Sequence, residues 1–349
     1  MKKNSDIKLT AYSHGAGCGC KLSPGVLSEI ISQTRQSQTS YPQLLVGNAT
    51  RDDAAVYQIG DNEAIISTTD FFMPIVDSAF DFGRIASANA LSDVYAMGGK
   101  PIMAIAILGW PAQTLPPELA AEVLQGAEKI CHQAGIPLAG GHSIDNPEPI
   151  FGLAVTGMVK LQNLKKNNTA KTGDCIFLTK PLGIGILSTA IKKGMITNAH
   201  LQEAIECMTT LNQSGLHMGS LDYVHALTDV TGFGLLGHLG EVCNGSNASA
   251  IIHESNIPVI PSAYEYLEKG AIPGGTERNW KSYGKQMSDL SERHKNLFAD
   301  PQTSGGLLAC VDTAHKNDFE NEMKAIGQPV YCIGEIVPKT KNLITITMM

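Results

Sequence analysis

The stretch Asn48-Ala-Thr-Arg-Asp-Asp-Ala-Ala-Val-Tyr57 sets an arginine and two adjacent carboxylates, Asp52 and Asp53, at the mouth of an apolar run. Charges at the entrance to a buried strand cost desolvation unless they have something to hold, so this stretch constrains the fold more than any other. Two further acids stand in similar settings: Asp93 after Asn89-Ala-Leu-Ser, and Asp229 in Leu227-Thr-Asp-Val-Thr-Gly232. Carboxylates delivered from distant segments to one spot are what a hard cation such as Mg²⁺ requires, and Mg²⁺ is commonly completed by the phosphates of a substrate. The set points to a Mg-nucleotide site. Taken singly, each Asp is more readily a cap or turn residue. The nucleotide reading stands only if the three meet.

The remaining bounds are broad. A chain of 349 residues is long enough for two domains with ordinary cores. Its apolar and charged fractions, 43% and 17%, are those of a globular protein. A net charge of −7 argues against a general nucleic-acid binder, which would carry a basic face. The apolar run Pro101–Trp110 is far short of the roughly 18 residues of a membrane span, and Met1–Lys8 has no apolar segment of a secretory signal, so no membrane partner is expected. Eight cysteines in so large a chain do not make a disulfide framework, and a cytoplasmic, reducing compartment is the simplest expectation.

Taken in order, residues 1–47 read as a tail poorly committed to a core, with Ser32–Tyr41 a polar loop. Within it, Tyr12-Ser-His-Gly-Ala-Gly-Cys-Gly-Cys-Lys-Leu22 puts two thiols and an ammonium on a glycine-jointed segment. A neighbouring lysine lowers a thiol pKa, so Cys18 or Cys20 beside Lys21 is a candidate nucleophile; a soft metal pair or an incidental exposed thiol pair is the plainer alternative. From Asn48 short strands and helices alternate. Ala64–Thr68 reads as a strand ending at Asp70, Phe80–Met97 as a helix with Asn89 and Asp93 on one face, and Met103–Leu108 as an apolar strand. Pro117–Ala134 is a second helix, Pro137–Ala139 a strand reaching Gly140-Gly-His-Ser143, and Phe151–Val159 another strand. The loop Leu161–Gly173 is the candidate boundary between a first domain over 48–160 and a second over 171–349. The second half repeats the pattern, including a helix over Leu201–His217 and a strand Val224–Thr228 leading into Asp229. Two α/β-type domains follow, and the pattern leaves open whether their sheets are parallel or mixed.

One motif pulls elsewhere. Gly232-Phe-Gly-Leu-Leu-Gly237 has the spacing of a dinucleotide fingerprint between a strand and a helix. Asp229 and Thr231 stand where the pyrophosphate would lie, and a carboxylate there repels phosphate unless a cation bridges them. No P-loop motif occurs anywhere in the chain. Gly183-Ile-Gly185, Gly274-Gly-Thr276 and Asp300-Pro-Gln-Thr-Ser-Gly-Gly306 read singly as tight turns, and His14 and His142 sit beside glycines where they would be accessible.

Together these segments resemble the selenophosphate synthetase family: Tyr12–Leu22, Leu45–Val56, Ser67–Val76, Asn89–Met103, Ala139–Asp145, Thr228–His238, Gly274–Asn279 and Asp300–Gly306, spread over nearly the whole chain. The family lies in the aminoimidazole-ribonucleotide-synthetase-like superfamily. The resemblance implies an α/β (α+β) fold of two related domains with mixed sheets flanked by helices, and a homodimer whose N-terminal domains form a shared β-barrel. It implies conversion of selenide, ATP and water to selenophosphate, AMP and orthophosphate, with ATP as substrate, Mg²⁺ as cofactor and room for a selenium-delivery partner. By matched position Asp53, Asp93 and Asp229 would ligate Mg²⁺, with Asp70 and Asn89 supporting metal and nucleotide. Lys21, Thr50, Arg51, Asp52, Asp70, Asp93 and, from across the dimer, Gly141, His142 and Ser143 would contact ATP. Cys18 and Lys21 match the essential cysteine and lysine, and the glycine-jointed tail would fold over ATP as a lid. The competing readings are another ATP-dependent kinase or synthetase of the superfamily, a non-catalytic selenium or thiol carrier, and a dinucleotide oxidoreductase.

Overall fold

The strand-helix alternation resolves into two six-stranded sheets, each backed by helices. The computed structural model describes residues 7–21, 26, 29–30, 33, 41–47 and 52–347. Thr50, Arg51 and most of Ser32–Tyr41 lie outside the described residues, as does the side chain of Cys20. The first sheet contains β1 (Leu44–Val46), β2 (Ala55–Gln58), β3 (Glu63–Phe72), β4 (Lys100–Trp110), β5 (Leu138–Asp145) and β6 (Ile150–Lys160), in the order β1-β2-β3-β6-β4-β5. Only β4 and β5 run parallel. The second sheet contains β7 (Cys175–Leu178), β8 (Val224–Asp229), β9 (Ala248–His253), β10 (Leu307–Val311), β11 (Tyr331–Pro338) and β12 (Ile344–Thr347), ordered β12-β9-β11-β7-β10-β8. There only β12 and β9 are parallel. Both sheets are mixed.

One helix joins the two halves. α1 (Ala79–Ala96) begins at Ser78, whose side chain accepts from the Asp81 amide and so satisfies one of the free N–H groups of the first turn. Asp81 adds a favourable charge there, and Gly98 at φ 72° turns the chain out past the end. A helix buried all round must sit inside the molecule, and α1 does. Phe82 meets Phe72 and Phe151 of the first sheet, while Arg84 donates across to Thr209 of the second half. Fully burying a side chain such as Phe82, Ile85 or Leu91 contributes roughly 1.5–3 kcal/mol. α2 (Pro117–Gln133) packs on α1 through two glycines that need each other. A β-carbon at Gly83 would come within 1.9 Å of the Val123 carbonyl, and one at Gly126 within 2.0 Å of the Phe80 carbonyl. Any larger residue at either would drive the helices apart.

The structure differs from the sequence reading at several elements. β3 runs through Asp70 instead of ending there, and Gly140–Ser143 lie within β5. Gly274–Thr276 open a helix, Gly274–Tyr283, and are not a free turn. The helix expected over Leu201–His217 is two, Asn198–Thr209 and Ser214–Gly219. Between them Asn212 turns inward to donate to Ser92 Oγ and the Gly305 carbonyl, both at 2.8 Å, contacts a continuous helix would forfeit. The cysteines among the described residues are all free thiols, and no described helix is long and apolar enough to cross a membrane.

Candidate active site

Asp53 precedes β2, Asp93 lies on α1 and Asp229 ends β8, and the three converge. Their nearest carboxylate oxygens all lie within 4.8 Å of one another. Each is fixed by a hydroxyl. Thr68 donates to Asp93 Oδ2 at 2.5 Å, Thr228 to Asp53 Oδ1 at 2.9 Å and Ser92 to Asp229 Oδ2 at 2.5 Å. Two of these bonds cross between the halves: the second domain's Thr228 holds the first domain's Asp53, and α1's Ser92 holds β8's Asp229. Asp53 Oδ2 is buried with no hydrogen-bond partner.

Such a cluster repels itself. At this separation two unit charges at an effective dielectric of ~20 interact by roughly 3–4 kcal/mol. Burial, and then the charges of Asp229 and Asp93, hold the Asp53 carboxyl well above the usual range. Burial, followed by Asp229 and Asp70, does the same for Asp93. Burial pushes Asp229 up to about 6, with the Ser92 hydrogen bond and Lys21 opposing it. An orphaned buried oxygen and three mutually repelling acids fit a divalent cation, which satisfies the one and relieves the other.

The thiol and the ammonium reach the same cleft on a short 3₁₀ turn, Gly17–Cys20. Gly17 is forced: its φ is 51°, and a β-carbon there would lie 2.5 Å from Thr303 Oγ1 and 2.6 Å from Ile75. The Gly17 amide donates to the Met73 carbonyl, the Cys18 amide to Thr303 Oγ1, and Arg278 Nη2 to the Gly19 carbonyl. Earlier in the segment, Thr10 is bound to Asp77 and His14 to Glu148. Lys21 Nζ lies 3.3 Å from Asp70 Oδ2. Burial pulls the Lys21 ammonium down, but the negative charges of Asp70, Asp93 and Asp229 outweigh it and raise its pKa. Its side chain remains 41% exposed, so solvent screens part of that pull.

Cys18 departs from expectation. Burial and the charge of Asp70 push its thiol up, and Lys21 opposes them without prevailing. The docked residue is 1% exposed and donates its Sγ–H to Asn89 Oδ1 at 3.2 Å. In this arrangement it is a thiol and not the thiolate that an adjacent lysine suggests.

The glycine fingerprint is spent on this turn. A β-carbon at Gly232 would stand 2.8 Å from the Cys18 carbonyl, so the space over the glycines belongs to the tail and not to a pyrophosphate. Asp52 Oδ1 accepts the Asn167 amide at 2.7 Å, tying the start of the first domain to the connecting loop. Gly141, His142 and Ser143 are exposed on the edge strand β5 and line a cavity of about 320 Å³ with Leu124 and Glu128. None of the three acids lines that cavity, so within one chain the two groups are separate. Sequence reasoning passed over Thr68, Ser92, Thr228, Asn212 and Thr303. The adjacency of Ser92 to Asp93 and of Thr228 to Asp229 is the one signal that could have marked two of them.

Residues 51–159 match the N-terminal domain of AIR synthase related proteins, and residues 171–346 the C-terminal domain. The selenide, water dikinase of Cronobacter sakazakii is 57% identical over 330 residues, covering 95% of each chain. That of Sulfurovum sp. is 54% identical over 342 residues, covering 98% of this chain and 99% of its own. Among solved structures, thiamine-monophosphate kinase from Stenotrophomonas maltophilia superposes with a TM-score of 0.65 at 22% identity, covering 92% of this chain and 95% of its own, a likeness of fold. With a hydroxyl-braced acid cluster beside a docked cysteine and lysine, and identity above one half across both domains, the chain belongs to the selenide, water dikinase family of AIR synthase related proteins.

Proposed function

We propose that the cleft between α1 and β8 is where this chain converts ATP, selenide and water to selenophosphate, AMP and orthophosphate. The observation that carries the reading is the convergence of Asp53, Asp93 and Asp229 beside Cys18 and Lys21. Asp53, Asp93 and Asp229 would hold Mg²⁺, and bound Mg²⁺ would neutralise charge on the polyphosphate that otherwise repels an anionic nucleophile.

The chain's own groups do the rest. Phosphoryl transfer asks mainly for positioning and charge stabilisation, and Lys21 supplies a cation on the thiol side of the acids. Asp70 orients that ammonium, and through Asn89 it also braces the neighbourhood of Cys18. Cys18 handles selenium. The docked turn Gly17–Cys20 shields the cleft from water, which matters because stray hydrolysis competes with transfer to selenide. Thr50 and Arg51, which precede Asp52 in the sequence, would add contacts to the polyphosphate.

A second copy of the chain is the partner that fits the first sheet. Along β2, β3 and β4, Tyr57, Phe71, Met103 and Ile105 are each between 43% and 48% exposed. The register of β2 against β3, and of β3 and β4 against β6, puts them on the sheet face opposite α1. An open apolar face of this extent calls for a cover. Pairing two such faces would bring the exposed β5, with Gly141, His142 and Ser143, toward the partner and supply nucleotide contacts that one chain keeps apart.

The test is phosphorus NMR of the protein with ATP, Mg²⁺ and selenide. Selenophosphate and AMP are expected in equal amounts. ADP as the sole nucleotide product, or selenide-independent turnover, would overturn the reading.

A further inference from the structure

The contacts of the Cys18 turn end on a residue whose role the acid cluster does not explain. Asn89 lies on α1, four residues before Asp93, and is 0% exposed. Its Nδ2 donates to Asp70 Oδ2 at 2.5 Å. Its Oδ1 accepts from the Ser304 amide at 2.7 Å and from Cys18 Sγ at 3.2 Å. The orientation is forced, because a carboxylate cannot face an amide oxygen and a backbone N–H cannot face an amide nitrogen. An amide oxygen aimed at sulfur accepts from S–H and repels S⁻.

The far side of this bracket is strained. Ser304 sits at φ 50°, a left-handed conformation uncommon for a residue with a side chain. Its carbonyl accepts from the buried Lys180 Nζ at 2.8 Å, which also donates to the Thr210 carbonyl at 2.6 Å. Its neighbour Thr303 accepts from the Cys18 amide at 3.0 Å. Strain of this kind persists only where the surroundings over-determine it, and it gathers at functional sites. Here it aims one amide at Asn89 while the adjacent side chain grips the cysteine backbone.

We propose that Asn89 is a positioning residue for the Cys18 thiol. Clamped between Asp70 and the strained Ser304 amide, it holds the docked sulfur as S–H and turned from solvent. Cys18 then reacts with external electrophiles or selenium donors only when the turn lifts. This rests on reading Cys18 as a catalytic group, and the experiment separates the two.

Iodoacetamide labelling of the full-length protein is followed at each cysteine by peptide mass spectrometry, with the partly buried Cys207 and Cys332 as internal references. In Asn89→Ala the Cys18 rate is expected to rise roughly tenfold or more relative to both references, since the thiol loses its acceptor and its cover. Selenide-dependent kcat is expected to fall while KM for ATP stays within about threefold, as for a group that orients a reacting atom without binding nucleotide. An unchanged Cys18 labelling rate overturns the proposal, whatever happens to turnover. Should circular dichroism show that the alanine variant is unfolded, Asn89→Ser keeps a hydroxyl too short to span Asp70 and Cys18 and carries the same expectation. Undiminished turnover in Cys18→Ser would sink the catalytic reading of Cys18 and leave the labelling result standing.

Discussion

The acids and the thiol share one cleft but are held there in opposite ways. Asp93 belongs to a buried helix and Asp229 to the end of β8, the edge strand of the second sheet, and hydroxyls that cross between the halves brace Asp53 and Asp229. Moving Asp93 or Asp229 means moving the core. Cys18 and Lys21 arrive on a short segment docked onto that scaffold, with Leu9 and Cys18 buried in the core and the Gly17–Cys20 turn bonded to the Met73 carbonyl, Thr303, Asn89 and Arg278. Each such bond contributes about 0.5–1.5 kcal/mol net. The lesson is a division of labour. The site for charge neutralisation is part of the scaffold, and the reactive groups sit on a separate segment docked onto it.

The largest expected effect breaks the scaffold side. Asp93→Asn should lower selenide-dependent kcat by roughly 10³ or more, the scale of losing a metal-centred charge stabiliser. The metal-free variant should melt no lower than the parent, because a repelling charge has gone. Retained Mg²⁺-dependent activity would place the metal elsewhere. Lys21→Ala probes the docked segment: turnover should fall by about 10²–10³ while Mg-ATP affinity, read by calorimetry, stays within a few-fold. A large loss of nucleotide affinity would move Lys21 to the scaffold side of the comparison.

Loosening the turn without touching the chemistry should do less. Arg278 is exposed and, among the described residues, donates only to the Gly19 carbonyl in this region, so Arg278→Ala is expected to lower kcat about threefold to tenfold, in line with ~1 kcal/mol. Faster labelling of Cys18 should accompany the loss. Equal loss in a protein already lacking Cys18 would argue against a latch.

The smallest effect is on stability. A carboxyl whose pKa is raised by folding contributes stability that is full below its unfolded value and is lost as pH rises through its folded value. For Asp229 that window runs from about 3.8 to about 6, and Asp53 and Asp93, also raised, deepen the loss above it. Mg²⁺ competes with those protons, so the rise in Tm it produces should be greater at pH 8 than at pH 5.5 by a few degrees. A pH-independent increment would mean that the ion binds away from the acids.

Much of the frame was legible in the residues. The apolar periodicity of Phe80–Met97 located α1 almost to the residue, because the Ser78 cap that starts it and the Gly98 that ends it act locally whatever surrounds them. The helix break at Asn212 was invisible, since its cause is a hydrogen bond to Ser92 more than one hundred positions away. The dinucleotide-like glycines misled for the same reason: spacing records that a backbone comes close, and not which backbone.

Sequence alone determined which side chains could do chemistry and on which local elements they ride, because residue type and short-range period are local properties. Only the tertiary structure decided that Asp53, Asp93 and Asp229 meet, that Asn89 turns its oxygen toward Cys18, and that the thiol rests protonated beside a lysine. Those outcomes depend on burial and on charges brought together from both halves of the molecule, quantities that do not exist until the two sheets have closed on α1.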